Sequence, residues 1–474
     1  MEHKKGIIFD LDGVLLHSTG IHRDAFAEVF QQFSVTGFDY ARYAGWRTAD
    51  VVADVLKPSG IVDPQVLRRA CERKTALARE RLAQRQPLDA DCGRVLADLA
   101  ADHELGLASS GSRAGVDAFL QWSGSRSFFR SILTGEDVVR AKPDPELYLR
   151  SLEQLGVEPH DALVVEDAAS GVMAAREAGA HVVGIAGTCA EADLLKAGAA
   201  AVLPKLGDFP TFARQNAPPP SIDPARWTAI IPAAGKGSRL GFHRAKILYP
   251  VAGRLILDWL LDFLAPTCAR LVFVLSPEAR EDVTAELEQR IPGRFDVAVQ
   301  NSPTGMGDAV ALGLSKARTP HVLVVWGDQV AVRRSSVETC QRLHESPLQP
   351  VVTCPTVVRD RPYIHFDRDS RGTLTGLKQA REGDPMPSRG ESDTGLFCFQ
   401  TACLKALLEE ARAAGSSTGA ATREFNLLPV IPHAAARSVV LTPRHMGQEE
   451  TIGVNSASDV AAVEPFLKRA DGYR

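Results

Sequence analysis

The stretch IIFDLDGV, residues 7–14, decides the fold of the first part of this chain. It is an apolar run that ends in two aspartates, Asp10 and Asp12, placed two positions apart. Side chains alternate along a strand, so both carboxylates project to the same side at its C-terminal tip, where ligands bind in α/β sheets. The stretch therefore predicts a strand that carries a pair of carboxylates at a ligand-binding edge.

Similar strand-like runs recur along the chain in alternation with helical segments. In the first half they are GIIF, LGLAS, ALVVED and HVVGIA, and in the second half WTAIIPAAG, RLVFVLS, HVLVVWGD and PVVTCPT. Such alternation is typical of parallel sheets with helices on both faces. We predict the α/β class, with two Rossmann-like three-layer α/β/α domains. Long amphipathic patterns over residues 19–88 break the alternation and predict an inserted helical cap in the first domain.

A proline-rich segment separates the two series of strands. Residues 206–226 read LGDFPTFARQNAPPPSIDPAR, and consecutive prolines favour an extended, semi-rigid backbone. A chain of 474 residues is also too long for one ordinary domain. We therefore predict a first domain over residues 1–210, a linker over 211–226 and a second domain over 227–474.

The composition argues against several classes of function. The formal net charge of −4 disfavours a nucleic-acid or membrane-surface partner. The eight cysteines form no Cys-x-x-Cys pair, which disfavours zinc sites and disulfides. The N-terminal apolar run is too short for a secretory signal, and no run reaches the roughly 20 residues of a membrane span. We expect a cytoplasmic protein and leave homo-oligomerisation open.

The first carboxylate pair suits phosphoryl chemistry, because one carboxylate can attack phosphorus while the other protonates the leaving oxygen. Crowded carboxylates and a phosphate repel one another, so the site needs cations. Lys142 in RAKPDPELY is one candidate, and Glu166 with Asp167, at the end of ALVVED, is a candidate magnesium site. Each motif alone also occurs as a solvated turn or a helix boundary.

The order of these motifs resembles the haloacid dehalogenase-like superfamily over about residues 4–205, with the cap placed as in its β-phosphoglucomutase-like branch. The resemblance implies that Asp10 is the nucleophile and Asp12 the general acid and base. It implies that Ser109, in LASSGS, and Lys142 hold the phosphoryl group. It also implies a magnesium site made by the side chains of Asp10, Glu166 and Asp167 and the backbone carbonyl of Asp12.

The sequence departs from that branch at two positions, one in the first motif and one in the cap. His17 stands where many members have an acid, and Arg47 falls one position before the arginine of the mutase Gly-x-Ser-Arg segment. Phosphate binding by the cap therefore stays open, with Arg47 and Lys74 as the candidate cations. His22 has the position of a cap-hinge histidine, and a helix-surface histidine is the alternative interpretation.

A second loop suited to phosphate binding begins the second domain at AAGKGSRL, residues 233–240. It matches neither the Walker A nor the dinucleotide fingerprint. The longer segment PAAGKGSRLGFHRAKILYPVAGRLILDWLLDFL resembles the nucleoside-triphosphate transferase superfamily, and especially the uridylyltransferases that make UDP-N-acetylglucosamine. Arg239 can hold the β- and γ-phosphates, and Lys246 can stabilise charge at the α-phosphorus. The backbone amides that would approach the triphosphate belong to Ala233, Ala234, Gly235, Lys236 and Gly237.

Further motifs follow in the order of that superfamily, over roughly residues 227–470. Gln300 and Gly305, in QNSPTGMGDA, match the residues that contact the nucleobase. Asp328, in VVWGDQV, and Asn455, in IGVNSASDVAAVE, match the residues that bind magnesium. The resemblance thus implies one magnesium ion in each domain.

The acceptor pocket departs from the uridylyltransferases. Ile364 in PYIH replaces a glycine, and Gln379 stands at the position of a sugar-binding glutamate. Asp393 replaces the asparagine of an Asn-Thr-Gly motif. These three changes predict an acceptor other than N-acetylglucosamine 1-phosphate.

Together the two sites predict a bifunctional enzyme. Its first domain would hydrolyse a phosphomonoester with magnesium. Its second would transfer a nucleotidyl group, from UTP or CTP by preference, to a phosphorylated small molecule such as a sugar 1-phosphate, with release of pyrophosphate. Two alternatives stay open: a phosphosugar mutase as the first domain, or a catalytically silent regulatory module as one of the two.

Overall fold

The computed structural model describes residues 5–215, 222–235, 237–346, 348–369 and 374–470. The chain divides into two compact units, Met1–Pro220 and Ser221–Arg474. Within the described residues, no helix has both the length and the apolar character that a bilayer crossing requires.

The first unit alternates strands and helices after a helical insertion. Its elements are β1 (Gly6–Phe9), α1 (Thr19–Gln31), α2 (Thr48–Leu56), α3 (Pro64–Arg85), α4 (Cys92–Leu99), β2 (Glu104–Ala108), α5 (Arg113–Ser123), β3 (Phe129–Leu133), α6 (Glu146–Leu155), β4 (Ala162–Glu166), α7 (Ala169–Glu177), β5 (His181–Ile185), α8 (Glu191–Ala197), β6 (Ala201–Leu203) and α9 (Phe209–Gln215). The strands form one parallel sheet in the order β3-β2-β1-β4-β5-β6. Because β1 lies between β2 and β4, the chain that follows each of these strands reaches the same edge.

Helices α1, α2 and α3 form the cap. Its core is aromatic: the rings of Phe26 and Phe30 stack at 5.6 Å, and Phe38 meets Phe30 edge-on at 4.9 Å. The cap also contacts the body of the unit, where Ser170 Oγ donates a hydrogen bond of 2.7 Å to the Ala44 carbonyl oxygen. These contacts place the cap over the C-terminal edge of the sheet.

The structure corrects the predicted linker. Residues 209–215 form helix α9, and its Phe209 is fully buried with its ring 5.8 Å from that of Phe9. The first unit is therefore packed as far as Gln215, beyond the predicted start of the linker at residue 211. The triple proline lies outside the described residues. The predicted linker starts too early because the prolines serve as its marker in the sequence. Ala213 lies close to them in sequence but belongs, with Phe209, to the core.

The second unit builds one seven-stranded sheet and three two-stranded sheets. Its elements are β7 (Trp227–Pro232), β8 (Pro250–Val251), β9 (Arg254–Leu255), α10 (Ile256–Thr267), β10 (Arg270–Leu275), α11 (Arg280–Arg290), β11 (Phe295–Val299), α12 (Met306–Leu314), β12 (His321–Val325), α13 (Arg334–His344), β13 (Val352–Thr353), β14 (Thr356–Asp360), β15 (Ile364–Arg368), β16 (Leu374–Gln379), β17 (Arg389–Asp393), β18 (Leu396–Gln400), α14 (Thr401–Ala414), α15 (Val430–Ala435), β19 (Val440–Leu441) and α16 (Ala457–Ala470). The main sheet has the order β11-β10-β7-β12-β18-β13-β19.

This main sheet confirms the α/β class. The alternation of strands and helices predicted a parallel sheet, and the observed sheet is only partly parallel. Strand β18 runs antiparallel to both β12 and β13. The small antiparallel pairs β14–β17 and β15–β16 lie in the excursion before β18, which the strand pattern did not reveal.

A core substitution tests whether helix α9 stabilises the first unit. We expect Phe209→Ala to lower the unfolding free energy of the first unit by about 3 kcal/mol, because it removes a buried ring that packs on β1. Scanning calorimetry of the full chain, together with the thermal loss of p-nitrophenyl phosphate hydrolysis, measures this. Thr211→Ala, on the exposed side of the same helix, is the matched control. Equal midpoints for the two variants would mean that α9 does not stabilise the first unit.

Candidate active sites

The first site lies where β1 and β4 end side by side. Asp10 directly follows β1, and its backbone N–H donates a hydrogen bond of 3.0 Å to the Val165 carbonyl oxygen on β4. Glu166 ends β4, and Asp167 follows it. One oxygen each from Asp10, Glu166 and Asp167 lies within 4.8 Å of the others, and all three residues are buried. The pairing of two parallel strands therefore brings together carboxylates that are about 150 positions apart in the sequence.

A buried lysine compensates this negative charge. Lys142 Nζ donates hydrogen bonds to Asp10 Oδ1 at 2.6 Å and to Glu166 Oε1 at 2.7 Å, and its side chain has no exposed surface. Tyr148 donates its hydroxyl to Glu166 Oε1 at 2.7 Å. Burial alone would lower the pKa of Lys142, but the two carboxylates raise it well above its usual range. The ammonium group is therefore held charged.

The donor set fits a magnesium ion, because hard divalent cations prefer carboxylate oxygens. Burial, reinforced by the neighbouring acids, raises the pKa of both Asp10 and Asp167. A cation at this point would reverse that effect. Gly13 leaves room for the site: its φ is +82°, and a Cβ there would lie 1.7 Å from Asp167 Oδ2.

Asp12 faces the cap rather than the carboxylate cluster. Its Oδ1 accepts hydrogen bonds from Ser18 Oγ at 2.5 Å and from His22 Nε2 at 3.0 Å. Burial alone would raise the pKa of Asp12, but His22, Ser18 and the charge of Lys74 take it below its usual range. His22 is therefore not a free helix-surface histidine, and Asp12 is held as a carboxylate.

The chain of contacts continues into the cap through Lys74. Lys74 Nζ lies 3.0 Å from His22 Nδ1 and 3.2 Å from Thr48 Oγ1, and 4.3 Å from the centre of the Phe26 ring. Burial lowers its pKa to about 8. Lys74 lines a cavity of about 50 Å³ beside Asp10 and Asp12, whose walls include Phe26, Tyr40 and Trp46.

The other predicted phosphate-binding residues are arranged differently. Arg47 donates to Asp50 Oδ2 at 2.8 Å and to the Val139 carbonyl oxygen at 3.2 Å, and it does not line the cavity. Ser109 is fully buried, and its Oγ accepts a hydrogen bond of 2.9 Å from the Gly111 N–H. Gly111 does line the cavity. Ser109 thus fixes the turn that forms one wall.

The second site begins at the loop after β7. Ala233 is buried, Ala234 is half-buried, and Gly235 accepts a hydrogen bond of 3.1 Å from the Lys246 backbone N–H. Gly237 has a φ of +66°, while the predicted Lys236 lies outside the described residues. Arg239 is exposed in a 3-10 turn, Ser238–Leu240. The hydrogen bond between Gly235 and the backbone of Lys246 thus holds the loop beside Lys246.

Lys246 joins two distant segments. Its Nζ donates to Asp328 Oδ2 at 2.7 Å and to Asn455 Oδ1 at 3.0 Å, and Asn455 Nδ2 donates to Asp328 Oδ2 at 3.1 Å. Asp328 and Asn455 present a carboxylate and an amide oxygen side by side. Magnesium commonly takes one or two protein oxygens and completes its shell with substrate phosphates and water, so this pair fits a magnesium ion.

Gln300 and Gly305, the predicted nucleobase-binding residues, are held in place by the segment around Phe425. Gln300 Nε2 donates to the Gly305 carbonyl oxygen at 3.1 Å. Gly305 has a φ of +116°, and a Cβ there would lie 2.5 Å from the Phe425 carbonyl oxygen. The Phe425 N–H donates to the Thr304 carbonyl oxygen at 2.9 Å. Gly305 is therefore required both by its backbone angle and by its close approach to Phe425.

The predicted acceptor residues share one cavity of about 280 Å³ with the proposed metal ligands. Ile364, Gln379 and Asp393 line it together with Asp328 and Asn455. Burial raises the pKa of Asp393. The cavity also has lining residues that the motifs did not identify, among them Trp326, Gln329, Arg359, Tyr363, Arg381 and Thr451.

Comparison with known proteins agrees with this division. Residues 7–185 match the family model of haloacid dehalogenase-like hydrolases, and residues 229–394 match that of the MobA-like NTP transferase domain. The chain is 31% identical over 215 residues to validoxylamine A 7'-phosphate phosphatase of Streptomyces hygroscopicus subsp. limoneus, covering 40% of this chain and 92% of that protein.

The chain belongs to the haloacid dehalogenase-like hydrolase family. Its second half is 27% identical over 249 residues to the bifunctional protein GlmU of Desulfitobacterium hafniense, covering 51% of this chain and 52% of that protein. The chain thus spans about half the length of the GlmU protein that it matches. A solved hydrolase from Pseudomonas syringae aligns with 45% of this chain and 100% of its own, at 25% identity and a TM-score of 0.42. The predicted fusion of a hydrolase domain with an NTP transferase domain is confirmed, and both belong to enzyme families.

Two features of these domains escaped the sequence analysis. In the hydrolase domain, the path from Asp12 through His22 to Lys74 joins residues on separate helices, and only the hinge position of His22 hinted at it. In the transferase domain, Arg359 and Arg381 belong to the small-sheet region. No motif signals either arginine, because their convergence depends on strand pairings that the sequence pattern does not show.

The buried ammonium of Lys74 should lower the unfolding free energy of the first unit, and this effect can be tested. Its pKa is about 8 in the folded chain and 10.5 when unperturbed, so its charge destabilises the fold below pH 8. The unfolded chain binds the extra proton between these values, so wild-type stability rises across that window. We expect Lys74→Met to raise the unfolding free energy of the first unit by about 3 kcal/mol at pH 7, a gain that vanishes by about pH 10.5.

Calorimetry at both pH values measures this effect, with Lys57→Met on the exposed cap surface as the control. The same Lys74→Met chain should hydrolyse p-nitrophenyl phosphate more slowly, since the cation beside Asp12 is lost. A midpoint that stays unchanged at pH 7 would contradict the buried-charge account.

Proposed function

We propose that the chain is a bifunctional enzyme that hydrolyses a phosphomonoester in its first domain and transfers a nucleotidyl group to a phosphorylated small molecule in its second. The observation that carries this proposal is the pair of lysine-centred clusters. Lys142 bridges two carboxylates in one domain, and Lys246 bridges Asp328 and Asn455 in the other. Each cluster presents the charges that a phosphoryl centre requires.

In the first domain, Asp10 attacks phosphorus, and the bond from phosphorus to the ester oxygen breaks. Asp12, which must first take up a proton from solvent, gives that proton to the leaving oxygen. Water then attacks the aspartyl phosphate while Asp12, again a carboxylate, removes its proton, and inorganic phosphate leaves. The hydrogen bond from His22 favours the carboxylate form that this second step uses. Magnesium bound by Asp10, Glu166 and Asp167 would supply positive charge to the phosphoryl oxygens.

The arrangement of the cap supports hydrolysis over a mutase reaction, which remains the alternative. A mutase must hold a second phosphate of its substrate while the first is transferred. Arg47 is engaged by Asp50 and the Val139 carbonyl, which leaves Lys74 as the cap cation that lines the cavity. Lys74 is itself bonded to His22 and Thr48. These contacts favour a site that binds one phosphate group of the substrate rather than two.

In the second domain, an oxygen of the acceptor phosphate attacks the α-phosphorus of the triphosphate. The bond from the α-phosphorus to its bridging oxygen breaks, and pyrophosphate leaves with those electrons. Lys246 faces the growing charge, and Arg239 offers a fork for two phosphate oxygens. Magnesium bound by Asp328 and Asn455 would neutralise charge on the phosphates.

The proposed substrates rest on two of the similar proteins and on the residues of the second site. The resemblance of the segment QNSPTGMGDA to the uridylyltransferases and the side-chain amide of Gln300 favour UTP or CTP as the nucleotide donor. A relative of the first domain is named as a phosphatase of a small-molecule phosphoester, and we propose a substrate of that class here. The buried charges of Asp10 and Lys142 argue against a silent regulatory module in the first domain, because such charges are costly to keep.

A first substitution tests the nucleophile. We expect Asp10→Asn to reduce p-nitrophenyl phosphate turnover by about a thousandfold or more, because the amide cannot form the aspartyl phosphate. Phosphate release measures the loss, and pyrophosphate release by the second domain should continue. Asp24→Asn, on the exposed face of α1, is the control. Hydrolysis that persists in Asp10→Asn would remove Asp10 from the mechanism.

A second substitution tests the transferase. A matrix of the four nucleoside triphosphates against sugar, polyol and aminoalkyl phosphates, followed by pyrophosphate release, first identifies an active pair. We then expect Lys246→Ala to lower its single-turnover rate by roughly a hundredfold, the usual cost of one preorganised charge donor. Lys316→Ala is an exposed control. Unchanged rates in rapid-quench measurements of Lys246→Ala would mean that Lys246 has no role in the chemical step.

A further inference from the structure

The acceptor cavity of the second domain contains buried polar atoms without partners. Gln329 Oε1, Thr394 Oγ1 and Arg359 Nε are shielded from solvent and make no hydrogen bond within the described residues. Gln329 and Thr394 are 5% and 1% exposed, and all three residues line the cavity. A buried polar group left unpaired costs free energy, so such a set indicates a ligand that completes it.

Arg359 differs from the other arginine of the cavity. Arg381 is paired with Glu424 and lies 3.7 Å from Glu382. Arg359 has no carboxylate at ion-pair distance in the part of the chain that the structure describes, and its Nη2 donates to Thr451 Oγ1. Arg359 therefore brings a positive charge into the cavity without an ion pair, and the carboxylate of Asp393, which lines the same cavity, interacts with it only at longer range.

The position of Arg359 links this charge to the proposed reaction. Its partner Thr451 lies in the segment that runs to Asn455, and the Val454 N–H in that segment donates to the Asp328 carbonyl oxygen at 3.0 Å. Thr451, Asp328 and Asn455 line the same cavity as Arg359. An acceptor phosphate that approaches the metal ligands must enter this cavity.

We infer that Arg359 binds the phosphate of the acceptor in the transferase site, a role that the similarity to uridylyltransferases does not assign. Its planar guanidinium can donate from Nε and a terminal nitrogen to two phosphate oxygens. The hydrogen bond from Nη2 to Thr451 Oγ1 orients the guanidinium, and Nε remains free to donate to a phosphate oxygen. Arg359 thus orients a phosphate oxygen toward the α-phosphorus. This inference rests on the function proposed above for the second domain.

Equilibrium dialysis of the full chain with radioactive inorganic phosphate and magnesium tests this binding without knowledge of the acceptor. We expect two phosphate sites per chain, one in each domain. Ser109→Ala should weaken the first-domain site alone. Arg359→Gln should weaken the second-domain site by about tenfold or more, the effect of losing a charge-assisted hydrogen bond. Arg389→Gln, on the strand paired with that of Arg359 but exposed, should bind as the wild type does.

Arg359→Lys keeps the charge without the fork and should give an intermediate affinity. It also keeps the test decisive if Arg359→Gln fails to fold, which calorimetry of the second unit would reveal. One phosphate site in the wild type, or full affinity in the arginine variants, would overturn the inference.

A second experiment distinguishes a failure of the proposed transferase function from a failure of the inference about Arg359. With the acceptor identified by pyrophosphate release, Arg359→Gln should raise the KM for the acceptor by about tenfold while the KM for the triphosphate stays unchanged. Transfer with an unchanged acceptor KM would overturn the role of Arg359 alone. Phosphate binding that depends on Arg359, with no transfer to any acceptor, would overturn the proposed transferase function and leave an anion site.

Discussion

A lysine ammonium held between oxygen ligands is the interaction on which both sites depend. Lys142, wholly buried, bridges Asp10 and Glu166 from two neighbouring strands. Breaking such a buried pair usually costs about 3–5 kcal/mol, because it leaves an uncompensated charge in the interior. The first cluster can therefore exist only as a complete set, and the sheet order that places β1 beside β4 makes the set complete.

In the second site, a lysine ammonium is also held between oxygen atoms, but it is more exposed to solvent. The side chains of Lys246 and Asp328 are 17% and 16% exposed, so their charges cost less to hold and remain accessible to a ligand. This difference fits the two proposed chemistries. A covalent nucleophile such as Asp10 must be aligned in a closed interior, whereas transfer between two substrates needs an open cavity that both can enter.

The sequence was most informative where a residue's position follows from its own strand. Asp10, Glu166 and Asp328 each stand at a strand end, so the alternation of strands and helices was enough to place them. It was less informative where contacts depend on pairing between distant elements. The antiparallel β18, the small sheet that carries Arg359 and the cap path through Lys74 arise from tertiary contacts with no local signature. The start of the linker was predicted too early because helix α9 continues past residue 210 to Gln215 and buries Ala213.

The most direct test of the account is to follow phosphorus from two labelled substrates on the same chain. In acid-quenched reactions with magnesium, p-nitrophenyl [32P]phosphate should leave label on the peptide that contains Asp10. UTP or CTP labelled at the α-phosphorus should leave none on the protein and should appear in the nucleotidyl product. Hydrolysis without label at Asp10, or α-phosphate label on the chain, would contradict one covalent and one direct phosphoryl centre.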